Sequence, residues 1–160
     1  VYNHSYTHGY NRLQTFYTDS LKAFQDFKKN EENIAFNSKV ARLPGRNIWI
    51  YDNERKIDIP NAAPTADLLF KEGYKVFGWD VEWRLNSQTG VPNTPLETVY
   101  GRIVNFMNNK SSKEPNNVVF LMHDDMFQTS QGKKLLSNLI DKLIAKGYKF
   151  EFMEDYPIKY

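Results

Sequence analysis

The pattern of apolar and polar positions predicts helices that alternate with short strands. Leu21, Phe24 and Phe27 recur at helical spacing, so a helix with one apolar face is expected over residues 18–30. Three further helices follow, and two of them are followed directly by a glycine, the residue that most often ends a helix. They are predicted at 64–72 before Gly73, at 94–109, and at 132–146 before Gly147.

The helix at 94–109 has the clearest predicted start. Thr94 would be its N-cap, Pro95 its first helical residue, and Glu97, three residues after the cap, completes the pattern of a capping box. In such a box, the threonine hydroxyl and the glutamate carboxylate each accept a hydrogen bond from a backbone N–H at the helix start. The same pattern predicts that the helix ends near Asn109.

Four strand-like segments separate the helices, at 39–43, 74–81, 117–124 and 148–153. The third is an almost continuous apolar run, which is typical of a strand buried on both faces of a parallel sheet. The predicted order is therefore α-β-α-β-α-β-α-β, which favours an α/β protein. Because the chain has no repeat and no linker, the sequence predicts a single domain over residues 1–160.

Composition narrows the function. The chain has 160 residues, of which 41% are hydrophobic, enough for the core of one domain. Its net charge of +2 is not gathered into a basic stripe, so nucleic acid is not an expected partner. No apolar run approaches the roughly 20 residues that span a bilayer. The absence of cysteine excludes disulfide and thiolate chemistry.

His4 and His8 are the first residues that indicate chemistry. Imidazoles four residues apart lie on one face of a helical turn, close enough to hold one divalent metal ion. Two surface histidines also occur at this spacing by chance. A metal site would need a third protein ligand, which we expect to be a carboxylate from elsewhere.

Three more motifs lie at or just after the ends of predicted strands, where α/β proteins place their sites. With "HSYTH" at 4–8, they are "RLPGRN" at 42–47, "GWDVEW" at 78–83 and "VVFLMHD" at 118–124. In this order they resemble the last four of the five motifs of the polysaccharide deacetylases, the NodB-homology family of carbohydrate esterases. The matching residues are His4, Ser5 and His8; Arg42 and Pro44; Glu82 and Trp83; and Leu121, His123 and Asp124.

The resemblance implies a metal site and a general acid. By this resemblance His4 and His8 bind a divalent ion, most often zinc, with cobalt, nickel or manganese as alternatives. His123 would be the general acid that protonates the leaving amine or alcohol, and Glu82 would pair with it and tune it. Because "DVEW" is one residue shorter than the usual motif, Asp80 is an alternative partner for His123.

The resemblance also assigns four residues around the substrate. Arg42 would orient the catalytic carboxylate, and Gly45 would offer its backbone N–H to the oxyanion. Trp83 and Leu121 would form walls of the acetyl pocket. Each has a simpler interpretation too: Arg42 as a strand-end ion pair, Trp83 as a core residue, and His123 as a buried histidine with its hydrogen bonds satisfied.

The implied fold is α/β, a distorted (β/α) barrel of the polysaccharide deacetylase type whose first β-α unit is absent from this chain. The implied activity is metal-dependent removal of acetyl groups from an N-acetylated, or less typically O-acetylated, polysaccharide. A non-catalytic glycan-binding or scaffold protein with the same fold is the alternative.

The family's first motif, which carries two aspartates, is absent from these 160 residues. We therefore expect an N-terminal segment of the same protein, or a second chain, to supply the catalytic base and the third metal ligand. The implied location is extracellular, periplasmic or in the cell envelope.

Overall fold

Helices and short strands alternate through residues 1–36 and 38–157, which are the residues described by the computed structural model. The helices are α1 Leu13–Phe16, α2 Ser20–Asn33, α3 Ala63–Lys71, α4 Leu96–Asn109 and α5 Ser130–Ala145. The strands are β1 Val40–Ala41, β2 Trp49–Tyr51, β3 Glu54–Lys56, β4 Lys75–Val76, β5 Val81–Glu82, β6 Leu85–Asn86, β7 Val91–Pro92 and β8 Phe120–Leu121. These elements form two compact units, Val1–Gly78 and Trp79–Pro157.

The first unit is built on a four-stranded sheet with the order β1-β4-β2-β3. Strand β1 runs parallel to β4, whereas β2 is antiparallel to both of its neighbours. Helices α2 and α3 bury apolar side chains in its core, including Phe27 and Leu69. The short strands are thus held mainly by side-chain packing, since so few residues of each take part in backbone pairing.

Asn3 anchors the start of the chain to this unit. Its backbone continues the parallel pairing beside β1, because its N–H donates to Val40 O and its carbonyl accepts from the Arg42 N–H, both at 3.0 Å. The side chain is only 1% exposed, yet its amide is fully hydrogen-bonded. Nδ2 donates to Phe27 O at 3.0 Å and to the Tyr74 hydroxyl at 3.3 Å.

The Asn3 side-chain oxygen has two donors of its own. It accepts from Asn30 Nδ2 at 2.9 Å and from the Ser5 N–H at 3.1 Å. One buried amide therefore joins α2, the residue before β4 and the segment that carries the two histidines.

The second unit contains two small sheets covered by α4 and α5. Strands β5 and β8 are parallel, with Val81 opposite Phe120 and Glu82 opposite Leu121, and β6 and β7 form an antiparallel hairpin. The core consists of apolar side chains from β5 and the residue after it, from the turn after β8 and from both helices: Val81, Trp83, Val99, Ile103, Met126, Phe127, Leu139 and Leu143.

The structure confirms the mixed α/β organisation and the four predicted helices, within a few residues at each end. The two glycines predicted to follow helices do so with left-handed backbone: φ is +83° at Gly73 and +90° at Gly147. A glycine tolerates this conformation because it has no Cβ.

The predicted capping box at Thr94 is wrong. The residue that caps α4 is Pro95, and no side chain caps the helix. The Thr94 hydroxyl donates to Asn93 Oδ1, while the Glu97 carboxylate accepts from Lys142 Nζ at 2.8 Å. A contact between α4 and α5 has therefore replaced the local one.

Two strand predictions also need correction. Residues 74–81 do not form one strand, because β4 ends at Val76 and β5 begins at Val81, with the division between the two units after Gly78. Residues 148–153 form no strand in the described structure, and Phe150 and Phe152 are exposed there. In the described part of the chain the sheets do not close into a barrel. Within the same residues, no helix combines the length and apolar character needed to cross a membrane.

We expect Asn3→Ala to destabilise the protein by about 3 kcal/mol, because it strips hydrogen-bond partners from buried polar groups. Urea unfolding followed by circular dichroism measures this loss. Asn33→Ala is the matched control, since the Asn33 side chain is exposed and bonds only locally to Lys29 O; about 0.5 kcal/mol or less is expected there. Equal effects of the two substitutions would contradict the anchoring role of Asn3.

Candidate functional site

The structure brings the two histidines of the first motif together. The imidazole rings of His4 and His8 have centroids 5.1 Å apart and meet edge to face. The segment between them is not a regular helix, although the spacing predicted a helical turn. His8 instead opens a short 3-10 turn, His8–Asn11.

Each imidazole has its Nδ1 atom held by an oxygen. His4 Nδ1 lies 2.7 Å from the Arg42 carbonyl, and His8 Nδ1 lies 3.0 Å from Asn11 Oδ1. A carbonyl oxygen can only accept, so the proton of each neutral ring belongs on Nδ1. The lone pair is then on Nε2. Metal-binding histidines are typically oriented in this way, by a hydrogen bond from the ring nitrogen that does not bind the metal.

Short polar side chains hold the loop between the histidines. The Ser5 hydroxyl accepts from the His8 N–H at 3.1 Å, which gives the serine of the motif a structural role. The Asp26 carboxylate on α2 accepts from the N–H groups of Tyr6 and Thr7, both at 3.0 Å.

The loop includes non-glycine residues with left-handed backbone: Ser5, His8, Tyr10 and Asn11. This conformation costs free energy and persists where surrounding contacts impose it, which is frequent at functional sites. The hydrogen bonds to Ser5 and Asp26 supply such contacts here.

Arg42, the arginine of the second matched motif, lies beside His4. Its carbonyl accepts from His4 Nδ1, and its guanidinium Nη2 is 3.4 Å from His4 Nε2. Arg42 and the His4 imidazole are therefore neighbours. The guanidinium faces the ring nitrogen that carries the lone pair of the neutral imidazole.

Gly45 follows in an exposed turn. Its φ is +59°, in the left-handed region that favours glycine. Pro44 before it is buried, and its carbonyl accepts from the Tyr17 hydroxyl at 2.8 Å. Within the described residues the Gly45 N–H donates to no protein acceptor. This N–H is therefore a backbone donor that the described part of the fold does not use.

The third and fourth motifs pair in the second unit. Glu82 lies opposite Leu121 in the parallel register of β5 and β8, and His123 follows two residues later. The His123 side chain is exposed, and among the described residues it forms no hydrogen bond. The Glu82 carboxylate forms an ion pair with Arg84 Nε at 2.9 Å.

Asp80, the alternative partner of His123, has a different place. Its Oδ2 accepts from the Val119 N–H at 2.8 Å, and its own N–H donates to Val119 O at 2.8 Å. Val119 precedes β8, whereas His123 follows it. Asp80 therefore closes one end of the β5–β8 pair, and Glu82 lies toward the end that carries His123.

Trp83 lies in the core. Its side chain is 0% exposed, its ring centroid is 5.6 Å from that of Phe127, and its Nε1 donates to Thr94 O at 2.8 Å. Trp83 thus offers no surface to solvent in this structure, which agrees with its simpler interpretation as a core residue. Leu121 is 9% exposed, and its carbonyl accepts from the Trp83 N–H at 2.8 Å.

An open cleft of about 340 Å³ lies beside Glu82 in the second unit. Charged and polar side chains dominate its wall, which is formed by Trp79, Asp80, Val81, Glu82, Arg84, Asn93, Thr94, Arg102 and Phe106. Such a polar wall offers hydrogen bonds to a hydroxylated ligand.

Sequence reasoning missed the residues that support the motif side chains. None of the four motifs includes Asn3, Asn11 or Tyr17. The folded structure brings their hydrogen-bond partners to them. Asn11 was detectable in principle, because a polar side chain three residues after His8 in a short turn can reach back to it. Tyr17 lies 27 residues from Pro44, and no local pattern indicates that contact.

In the described part of the chain, no group of three or more histidine, cysteine, aspartate or glutamate side chains is arranged to hold a metal ion. His4 and His8 fit two positions of a divalent-ion site by ligand type and by tautomer. A complete site needs at least one more ligand.

No protein family profile matches the chain. Among curated proteins, the chain is similar to a deacetylase, a hydrolase of the class that its four motifs resemble. This relative is the chitin disaccharide deacetylase of Vibrio alginolyticus, with 22% identity over 195 aligned residues. The match covers 88% of the chain and 44% of the relative, so the chain spans less than half of the relative's length.

We expect nitrogen NMR of the imidazole rings, at a pH where they are neutral, to show the Nδ1–H tautomer for His4 and His8. The reason is that each Nδ1 faces an oxygen acceptor. His123 is the internal control, because its exposed ring has no such partner and should favour the Nε2–H tautomer. Finding Nε2–H on both His4 and His8 would contradict the hydrogen bonds described here.

Proposed function

We propose that the chain provides the metal-binding histidines, the oxyanion donor and the general acid of a metal-dependent hydrolase that removes acetyl groups from an N-acetylated polysaccharide. O-acetylated polysaccharide is the secondary substrate class. The observation that carries this proposal is the histidine pair. Its rings lie 5.1 Å apart, and both Nδ1 atoms face oxygens, which puts the lone pair of each neutral ring on Nε2, where that of His4 faces Arg42 Nη2 at 3.4 Å.

His4 and His8 would hold the metal, for which imidazole ligands favour zinc, with cobalt, nickel or manganese as alternatives. A divalent ion bound there would supply Lewis acidity toward the acetyl carbonyl and the attacking water. Arg42 must swing away from His4 Nε2 when a cation binds, since like charges repel. A catalytic carboxylate would then attract its guanidinium, which is the orienting role that the family resemblance implies.

Gly45 would bind the oxyanion. Its N–H has no acceptor among the described residues and lies in an exposed turn, so it is available to a negatively charged oxygen. A pre-oriented donor of this kind stabilises charge that develops in the transition state, and removing one typically costs about 3 kcal/mol of barrier.

His123 would protonate the leaving nitrogen. Its exposed ring at the end of β8 is accessible to a substrate. Glu82 is the better of the two candidate partners, because it lies at the same end of the strand pair, whereas Asp80 is engaged by the Val119 N–H. To pair with His123, the Glu82 carboxylate has to break its ion pair with Arg84 and bind the imidazole instead.

The proposed substrate class is supported by the name of the relative and by the cleft. The relative's name gives a chitin disaccharide as its substrate. In this chain, the polar wall of the cleft beside Glu82 supports recognition of a hydroxylated ligand such as a sugar. The walls of the acetyl pocket would include Leu121, with Trp83 packed behind it rather than exposed. A location outside the cytoplasm stays a prediction.

The base and the third metal ligand would come from an N-terminal segment of the same protein or from a second chain. An aspartate is the expected residue for each role. The alternative function, glycan binding without catalysis, requires neither aspartate.

We expect the double variant His4→Ala, His8→Ala to lose divalent-metal binding. Calorimetric titration of the 160-residue chain with Zn²⁺ should show one weak site in the unmodified chain and at least a tenfold loss in the variant, since both ligand atoms are removed. His123→Ala removes the third imidazole of the chain and is the control that should bind Zn²⁺ normally. Stoichiometric binding retained by the double variant would refute the histidine site.

We expect His123→Ala to lower kcat by about a hundredfold or more, because general acid catalysis contributes that much. The assay uses the protein with its first motif present and follows acetate release from a chitin disaccharide, with metal content measured in parallel. Metal content should be unchanged, because an acid protonates without coordinating the metal.

Two variants test the partner of His123. Glu82→Gln removes a negative charge that would favour the imidazolium, so the alkaline limb of the pH–rate profile should move to lower pH. Asp80→Asn is the matched control, since its amide oxygen can still accept from the Val119 N–H. A shift with Asp80→Asn instead, or loss of metal in His123→Ala, would show that the roles are wrongly assigned. Metal binding without any acetate release would favour the glycan-binding alternative.

A further inference from the structure

We propose that Tyr17 is a positioning residue that directs the Gly45 N–H toward the reacting carbonyl by holding the Pro44 carbonyl. This inference rests on the proposed function, because it concerns the oxyanion donor of that reaction. Tyr17 belongs to none of the four motifs, and its effect would pass entirely through one peptide group.

The argument begins with the geometry of a peptide bond. The Pro44–Gly45 peptide is trans, so its C=O and N–H point in opposite directions. The Tyr17 hydroxyl donates to this C=O at 2.8 Å, and Tyr17 is 2% exposed. The carbonyl therefore points into the core of the first unit. The Gly45 N–H must then point away from the core.

A second contact holds the other side of Gly45. Arg46 Nη1 donates to the Gly45 carbonyl at 3.0 Å, and the Arg46 guanidinium lies 5.0 Å from the Tyr17 ring centroid. Arg46 itself is buried. The carbonyls of Pro44 and Gly45 are thus both held by side chains that also contact each other. The N–H between them makes no hydrogen bond within the described residues, so it can donate to an external acceptor.

The hydroxyl also strengthens the donor. A hydrogen bond to a peptide carbonyl polarises the amide, so its N–H becomes a better donor on the opposite side. Burial raises the pKa of Tyr17 well above its ordinary value, and the positive charge of Arg46 opposes this only in part. The hydroxyl consequently stays protonated, and stays a donor, throughout the pH range in which an enzyme would work.

The backbone favours glycine at this point of the loop. With φ at +59°, any other residue would be strained, and its Cβ would also displace the end of the Leu13 side chain. Glycine alone, however, would leave the peptide free to rotate. The tyrosine hydroxyl supplies the restraint that glycine lacks.

Tyr17→Phe isolates the hydroxyl, because it keeps the ring and its contact with Arg46. Tyr51→Phe is the matched control. Tyr51 is also 2% exposed, belongs to the same unit, and packs its ring against Phe77 in the sheet rather than in the turn that carries Gly45. Thermal unfolding of both variants measures how much of any effect is general destabilisation.

Two measurements decide the proposal. Glycine-selective ¹⁵N labelling of the 160-residue chain gives eight backbone signals, from which the order parameter of the Gly45 N–H is obtained. We expect it to fall in Tyr17→Phe and to stay unchanged in Tyr51→Phe. In the protein with its first motif present, acetate release from a chitin disaccharide should show kcat lowered about tenfold by Tyr17→Phe with KM nearly unchanged, since a displaced donor affects the transition state.

The proposal is overturned if Tyr17→Phe changes neither quantity beyond what Tyr51→Phe does. It is also overturned if the Gly45 N–H becomes mobile while kcat is unchanged, because the peptide would then have no part in the reaction. If the unmodified protein releases no acetate, the proposed function fails. The NMR measurement would still decide whether Tyr17 orients the Pro44–Gly45 peptide.

Discussion

The first unit depends on one buried amide. Asn3 carries two donors and two acceptor positions into a site that is almost closed to water, and each finds a partner there. Burying a polar group is unfavourable unless its hydrogen bonds are replaced, so this arrangement permits little variation in the backbone around it. Because Ser5 N is one of the partners, the histidine segment begins at a fixed point, and the Ser5 and Asp26 side chains fix the rest.

The helices could be predicted because their signals are local. Apolar spacing and the glycines at positions 73 and 147 act within a few residues, and the structure has helices that end just before them. The failures come from tertiary contacts, made or missing, that local sequence patterns do not reveal. Glu97 could have capped α4, but Lys142 on α5 takes its carboxylate. Residues 148–153 alternate like a strand, yet pairing requires a neighbouring strand that sequence spacing does not reveal.

The candidate site, like the fold, could be predicted from the sequence only in part. Motif spacing identified His4, His8 and Arg42, and the structure brings them together. The contacts that support the histidine segment could not be predicted, since Asn3 bonds to Phe27, Asn30 and Tyr74, which lie far away in the sequence. The choice between Asp80 and Glu82 likewise depends on strand register, and register comes from the pairing of β5 with β8 rather than from either motif.

The histidine loop is held by hydrogen bonds from short polar side chains, and this has a consequence for mutational tolerance. Hydrogen bonds depend on direction, whereas apolar packing accommodates many shapes of similar volume. Conservative changes in the core around Phe27 would therefore lower stability while the imidazoles keep their separation. Asp26 is different: it is a half-buried carboxylate on α2 that fixes two N–H groups of the loop. For protein engineering, stability and site geometry are thus separable here. Core residues can be redesigned, whereas the polar side chains that hold the histidine loop have to be kept.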